Sequence, residues 1–381
     1  MNHSINHARK LRLLFWESTI KCNLRCAHCR RVEDDDTVGS DMSTAQAKAM
    51  IDQLAQLGKN QDFMPILVFS GGEPLCREDI FELIDYGVAQ KVKCALATNG
   101  TLIDQTIARK IKSAGIERVS ISLDGATSDI HNKLRLQEGS FEAALNGIQY
   151  LNDCDVPFQI NMTITRHNSH QMDDIFVLAE KLSAVAVHLF MLVPVGCGEE
   201  FAEEDMLSAD EYELLLKRVA HKEQDGRLEV KVTCGPHYER VVREEKISNR
   251  PSDDQNKPHH AEQNRCPGGH PGPKHGPMSK GCLAGSGVIF VGHSGDVFPC
   301  GYLPVNCGNV LQTSLEKIWN GSEDLARMRD AHQLKGKCGV CGYRNVCGGC
   351  RARAFAATND YMEQEPMCTY IPPDPKNIKN R

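Results

Sequence analysis

Residues 21–29, KCNLRCAHC, follow an apolar, strand-like run at residues 11–16, and their reading decides the rest of the chain. They set Cys22, Cys26 and Cys29 at the spacing Cys-x3-Cys-x2-Cys. Three thiolates so spaced can hold three corners of a small iron–sulfur cube, whose four irons need four ligands. The fourth iron is left for something else, and an iron with an open position is a reactive centre.

Outward from that stretch, apolar runs at residues 65–69, 92–97, 118–123, 158–164 and 185–193 alternate with helical patterns at 43–58, 77–90, 104–114, 141–152 and 169–182. Ser43 reads as a helix start and Gly58 as its stop. Six successive strand–helix units predict a parallel sheet with helical crossovers. Polar or glycine-rich signals follow the strands: Ser70-Gly71-Gly72-Glu73-Pro74, Thr98-Asn99-Gly100, Ser122-Leu123-Asp124-Gly125 and Pro194-Val195-Gly196. The fifth strand carries Asn161 and Thr163. In a barrel or an open parallel sheet, the C-terminal strand edge is where ligands bind.

The chain has 381 residues, net charge −6, 41% hydrophobic and 25% charged residues, enough for two or three domains. Its cations are scattered, which argues against nucleic acid. The longest apolar run, 185–195, is about half of the ~20 residues a membrane span requires. The N-terminal apolar stretch is too short for a signal peptide. A cytoplasmic, non-membrane protein is expected, where disulfides are rare and 17 cysteines point to metal or catalysis. Cys76, Cys94 and Cys154 stand alone and read as ordinary buried residues.

The expected organisation is a strand–helix domain over 1–195, a connecting region over 196–281 and a cysteine-dense domain over 282–381. The connection holds one strand-like piece, 228–233, and a Pro/Gly/His-rich tract from 251, a linker or a substrate-ordered loop. Cys282, Cys300, Cys338, Cys341, Cys347, Cys350 and Cys368 are ligand candidates in the last domain, which also holds Cys307. Paired CxxC units can also bind zinc, as in a zinc ribbon, but the loop between these pairs is only five residues.

The triplet, Gly71-Gly72-Glu73-Pro74, Ser122-Leu123-Asp124-Gly125 and the six-strand layout together resemble the radical SAM superfamily. The resemblance implies a partial (β/α)6 TIM-like barrel, α/β in class. It also implies a [4Fe–4S] cluster on Cys22, Cys26 and Cys29, whose free iron chelates S-adenosylmethionine. Reductive cleavage of that cofactor yields a 5′-deoxyadenosyl radical, so no side chain is singled out as catalytic. It further implies that Gly71, Gly72 and Glu73 meet the methionine amino group, and that His28 packs on adenine where an aromatic is commoner. Ser122 and Asp124 would contact ribose, and Arg135 the carboxylate. The C-terminal cysteines resemble the SPASM extension with one or two auxiliary [4Fe–4S] clusters. By analogy Cys338, Cys341, Cys347 and Cys368 hold one. Cys282, Cys300 and Cys350 hold another, with Cys266 or a substrate atom as fourth ligand.

Within the family, Trp16-Glu17 before the triplet, Arg30 after it and the tail CGVCGYRNVCGGCRARAFAATND…EPMCTY resemble the branch that decarboxylates iron-coproporphyrin III. That implies a tetrapyrrole substrate, two propionates converted to vinyls, an electron donor such as ferredoxin or flavodoxin, and an auxiliary cluster as electron acceptor. Such a substrate calls for an apolar slot with basic anchors. Arg30, Arg31, Arg135, Arg351 and Arg353 are candidates, with His237, His270, His275 or His293 for an axial position. The alternatives are a relative that removes propionate chains whole from a sirohaem-derived precursor, a SPASM peptide maturase, and a non-catalytic electron carrier or zinc scaffold. Against the maturase, only about ten residues precede the first strand.

Overall fold

The computed structural model describes residues 10–31, 40–224, 226–248 and 281–373. Cys266, His270 and His275 lie outside the described residues. The chain runs β1 (Leu13–Glu17), α1 (Thr44–Asn60), β2 (Ile66–Ser70), α2 (Ile80–Ala89), β3 (Lys93–Thr98), α3 (Gln105–Ser113) and β4 (Arg118–Ser122). It continues with α4 (Ser128–Arg135), α5 (Ser140–Asp153), β5 (Phe158–Ile164), α6 (Met172–Lys181) and β6 (Ala186–Met191). Then come α7 (Gly198–Asp205), α8 (Ala209–Gln224), β7 (Glu229–Thr233) and α9 (Tyr238–Ser248). The C-terminal part holds β8 (Val288–Val291), β9 (Asp296–Phe298), β10 (Gly308–Asn309), α10 (Leu315–Gly321), α11 (Glu323–Arg329), α12 (Gly336–Val340) and α13 (Arg351–Thr358).

Among the described residues, ten strands join one sheet in the order β10-β9-β8-β1-β2-β3-β4-β5-β6-β7. From β8 through β7 every pairing is parallel, and the two pairings of β9 are antiparallel. The sheet does not close, so the architecture is a partial barrel with its helices as crossovers. Consecutive buried residues in β2 (Leu67, Val68, Phe69) mark strands covered on both faces.

The sheet exceeds six strands at both ends. The strand-like piece at 228–233 becomes β7, parallel to β6 from Ala186↔Glu229 to Phe190↔Thr233. On the other side β8, from the cysteine-dense part, pairs in parallel with β1 from Leu13↔Val288 to Trp16↔Val291. The loops after β1 and after β8 therefore emerge side by side.

Two local differences have clear causes. Ser43 caps α1 in a reciprocal box with Gln46, but the helix runs past Gly58 to Asn60. Gly58 is there for packing, because an added Cβ would lie 2.6 Å from Met64 Sδ. Helix α4 was not anticipated. It is only eight residues long and polar, and its buried face carries His131, Asn132, Leu134 and Arg135.

Candidate functional site

The loop after β1 and the loop after β2 are zipped together by main-chain bonds. Ser18 N donates to Ser70 O (2.9 Å), Gly72 N to Thr19 O (2.8 Å) and Glu73 N to Lys21 O (2.8 Å). This approach requires both glycines. An added Cβ at Gly71, where φ is +142°, would lie 2.5 Å from Thr19 O, and one at Gly72 would lie 2.3 Å from Lys21 O. The cysteine loop thus has its backbone fixed from beneath.

Glu73 is fully buried. Its Oε1 accepts from Thr98 Oγ1 (2.7 Å) and Leu75 N (3.1 Å), and its Oε2 from Asn99 N (2.8 Å). Burial raises its pKa against the pull of these donors. The carboxylate ties the loops after β2 and β3 into one floor.

Cys22, Cys26 and Cys29 are half-buried free thiols on that floor. Leu24 N donates to Cys22 Sγ (3.4 Å), and Arg135 Nη1 lies 3.5 Å from Cys26 Sγ. Arg135 is held by Asp124, with Nη2 2.6 Å from Oδ2. His28 Nε2 lies 3.1 Å from the same oxygen, and Oδ1 accepts from Thr163 N (2.8 Å). Burial alone would raise the Asp124 pKa, but Arg135 and His28 together hold it well below the carboxylate range. His28, Asp124 and Arg135 thus form one buried network at the C-terminal strand edge. Ser122, half-buried, ends β4 opposite Asn161.

The candidate anchors separate sharply. Arg353 and Glu365 are each 1% exposed and paired at 2.8 Å, and Arg353 also donates to Leu192 O (2.9 Å) and to Cys234 O. Arg351 donates to Tyr361 O (2.8 Å) and Glu363 O (2.7 Å) from a buried position. Arg30 pairs with Glu17 (2.6 Å) and stacks on Phe290, 4.3 Å from the ring centroid. Arg30, Arg135, Arg351 and Arg353 are thus each held by protein partners, although Arg135 Nε and Arg351 Nη2 are buried without a hydrogen-bond partner among the described residues. Arg31 differs. Its buried Nε and Nη1 have no hydrogen-bond partner among the described residues, and Nη1 lies 2.6 Å from where a Gly72 Cβ would be.

The axial candidates change likewise. His293 Nδ1 contacts Glu17 (3.1 Å), and His237 is fully buried and stacked on Tyr212 at 4.6 Å. Neither faces an open slot.

In the C-terminal part of the chain Cys338, Cys341, Cys347 and Cys368 line one pocket, together with Arg240, Lys337, Tyr343 and Tyr370. Backbone N–H groups point at three of these sulfurs: Glu365 to Cys338, Tyr343 to Cys341 and Gly349 to Cys347, each at 3.4 Å. Such donors suit thiolates better than thiols. Burial raises the metal-free thiols of Cys22, to about 11, and Cys300, to about 12. Metal binding therefore has to displace the protons. Among the described residues, no three His, Cys, Asp or Glu side chains converge tightly enough for a single ion. The cysteines surround a volume instead, which fits a cluster better than a zinc ion.

Cys350 points away from that cavity. It packs with Cys300 and Cys234 against a small apolar group containing Val193, Leu303 and Met362. Cys282 is brought up by Cys282 N donating to Cys347 O (3.0 Å). Reasoning from spacing overlooked Cys234 because it has no cysteine neighbour in the sequence. Its signal was the strand at 228–233, which puts it at the same sheet edge as the other site residues. Cys197, also overlooked, fastens to Arg31 O through its N (3.0 Å) and its Sγ (2.8 Å). Cys94 is fully buried, and Cys76 and Cys154 are half-buried.

An open parallel sheet with three cysteines beyond its first strand and cysteine-lined sites in its C-terminal extension defines a class. Residues 16–179 match the radical SAM superfamily and residues 282–351 match the SPASM iron–sulfur cluster-binding domain. The chain belongs to the radical SAM enzymes that carry a SPASM domain. Over 361 residues it is 43% identical to the AdoMet-dependent heme synthase of Methanosarcina barkeri, covering 95% of this chain and 97% of that one. It is 40% identical to the protein of the same name from Nitratidesulfovibrio vulgaris, covering 95% and 93%. The fold is similar to that of Streptococcus suis SuiB bound to S-adenosylmethionine, with TM-score 0.71, 16% identity and coverage of 95% and 78%. The protein is thus a radical SAM enzyme with a role in haem biosynthesis, using S-adenosylmethionine, a [4Fe–4S] cluster and auxiliary iron–sulfur clusters. No helix among the described residues is long and apolar enough to cross a membrane.

Proposed function

We propose that the protein decarboxylates two propionates of iron-coproporphyrin III oxidatively, giving the vinyl groups of protohaem. The observation that carries this reading is the 43% identity to a heme synthase along nearly the whole of both chains. When bound, the cluster and S-adenosylmethionine supply a radical that takes a hydrogen atom from the propionate β-carbon; the carboxylate leaves as carbon dioxide and one electron passes to an acceptor. Each vinyl uses one S-adenosylmethionine.

The chain's own residues prepare that chemistry. Cys22, Cys26 and Cys29 would hold the cluster on a loop fixed by the chain 70–73. Ser122, His28 and Asp124 would form the nucleoside side of the cofactor site, and Arg135 would meet the methionine carboxylate. Gly71, Gly72 and the Glu73 floor would form its methionine side. Arg31 would meet a carboxylate, since its buried Nε and Nη1 have no hydrogen-bond partner among the described residues. Tyr302 lies within electrostatic reach of Cys29 on one side and of Cys234 and Cys300 on the other, so an electron leaving the substrate has a short way to the auxiliary site.

The test is anaerobic incubation with S-adenosylmethionine, a reductant and iron-coproporphyrin III, followed by mass analysis of the pigment. Protohaem is the expected product. A pigment that has lost acetate or acrylate units would assign the enzyme to chain removal instead. An unchanged pigment alongside continued 5′-deoxyadenosine release would remove the substrate and leave the radical chemistry.

A further inference from the structure

We infer that Cys234 is the fourth protein ligand of the auxiliary cluster held by Cys282, Cys300 and Cys350, so that this cluster presents no iron to substrate. This goes beyond the choice of porphyrin and does not depend on it.

Four observations converge. First, Cys234 immediately follows β7, at the strand edge where the chain keeps its other site residues. Second, its thiol is in hydrogen-bonding contact with that of Cys350, and Cys300 lies within electrostatic reach of both and of Cys282. All the thiols are free, so the pair is not a disulfide. Third, Cys234 has φ +58°, a left-handed conformation that a non-glycine residue rarely adopts. Fourth, the strained carbonyl is clamped from two sides. Tyr212 Oη donates to it at 3.0 Å, and Arg353 donates from the first turn of α13, the helix that Cys350 caps.

The clamp explains why Arg353 and Glu365 are buried together. Glu365 Oε2 accepts from Cys350 N (2.6 Å), while its Oε1 pairs with Arg353, which in turn holds the Cys234 carbonyl. One ion pair therefore fixes the two cysteines that come from opposite ends of the site. Arg353 lies within electrostatic reach of Cys234 and Cys350, whose sulfurs become anionic on ligation.

The experiment is iron and sulfide analysis with EPR of the reduced protein. It is done in a background where Cys22, Cys26 and Cys29 are alanine, so that only the auxiliary clusters report. Cys234→Ala is expected to lose about four irons per chain, or to leave a three-iron signal in place of one cubane, whereas Cys266→Ala keeps the parent's iron and spectrum. Unchanged iron and an unchanged spectrum in Cys234→Ala, with loss in Cys350→Ala, would overturn the assignment. Should the alanine variant fail to fold, Cys234→Ser decides. An oxygen ligand retains the irons and shifts the signal, and an unshifted signal counts against Cys234. None of these readouts involves porphyrin turnover, so their failure is separate from failure of the proposed reaction.

Discussion

Toward the N-terminal end of the chain three cysteines lie on a single short loop, residues 22–29. At the other end, Cys338, Cys341 and Cys347 share their cavity with Cys368, and Cys282, Cys300 and Cys350 gather with Cys234, which folding brings from far up the chain. On the proposed ligand sets, the first arrangement would leave a metal corner for a cofactor, and the second would close its corners with side chains and suit electron storage. The same ligand type would thus serve two purposes, according to whether the last ligand comes from the protein.

The sharpest way to break this comparison is to remove one cysteine from each end. Cys22→Ala should reduce 5′-deoxyadenosine release to background while auxiliary iron stays in place, as read by chromatography and iron analysis. Cys300→Ala should do the reverse, with S-adenosylmethionine cleavage retained and vinyl formation reduced at least about tenfold, because the substrate electron loses its acceptor. If both variants lose both activities equally, the two ends are not separable.

A second test addresses the frame of the closed end. Arg353→Met leaves Glu365 buried without its partner, which should cost about 3–5 kcal/mol and appear as a lower unfolding midpoint in denaturant. The double variant with Glu365→Leu should recover part of that loss. No loss in the single variant would mean that the buried pair does not hold Cys234 and Cys350 together.

Arg31 sharpens the account of the open end. Arg31→Gln removes a charge-assisted contact worth about 1.5–3 kcal/mol, so a carboxylate-bearing ligand should bind roughly ten- to a hundredfold more weakly. Isothermal titration with S-adenosylmethionine and with the porphyrin, separately, identifies which one Arg31 serves. Unchanged affinity for both would leave its buried nitrogens without a role.

The smallest effect concerns pH. Burial pushes His188 down to about 3 and His237 down to about 4, both below the value of an unfolded histidine, about 6.5. Between those limits the unfolded chain binds more protons, so the stability these residues contribute is full above pH ~6.5 and falls as the pH drops. Thermal midpoints should therefore decline from pH 7.5 to 5.5. His188→Gln should remove about 1 kcal/mol of that decline.

Much of the open end could be read from the chain because it is local. Cysteine spacing, the Gly71-Gly72-Glu73 turn and alternating strands are all short-range signals, and the predicted strand at residues 158–164 coincides with β5. What escaped depended on pairing between distant segments. Nothing near residues 228–233 reveals that they extend the sheet beyond β6, and without that pairing Cys234 looks solitary. The arginines misled for a related reason. Arg351 and Arg353 stand beside a ligand candidate in sequence, but helix α13 turns them inward onto carbonyls and Glu365. Helix α4 is too short and polar to show a periodic apolar stripe, although it delivers Arg135 to the cysteine loop.

The central claim is that only the site at Cys22, Cys26 and Cys29 keeps an iron for S-adenosylmethionine. Anaerobic EPR of the reduced enzyme, with and without S-adenosylmethionine, tests it directly. The account predicts that one [4Fe–4S] signal shifts on addition, that this signal is missing when the three cysteines are alanine, and that the remaining signals do not move. A shift that persists in the alanine variant, or an N-terminal signal indifferent to the cofactor, would contradict it.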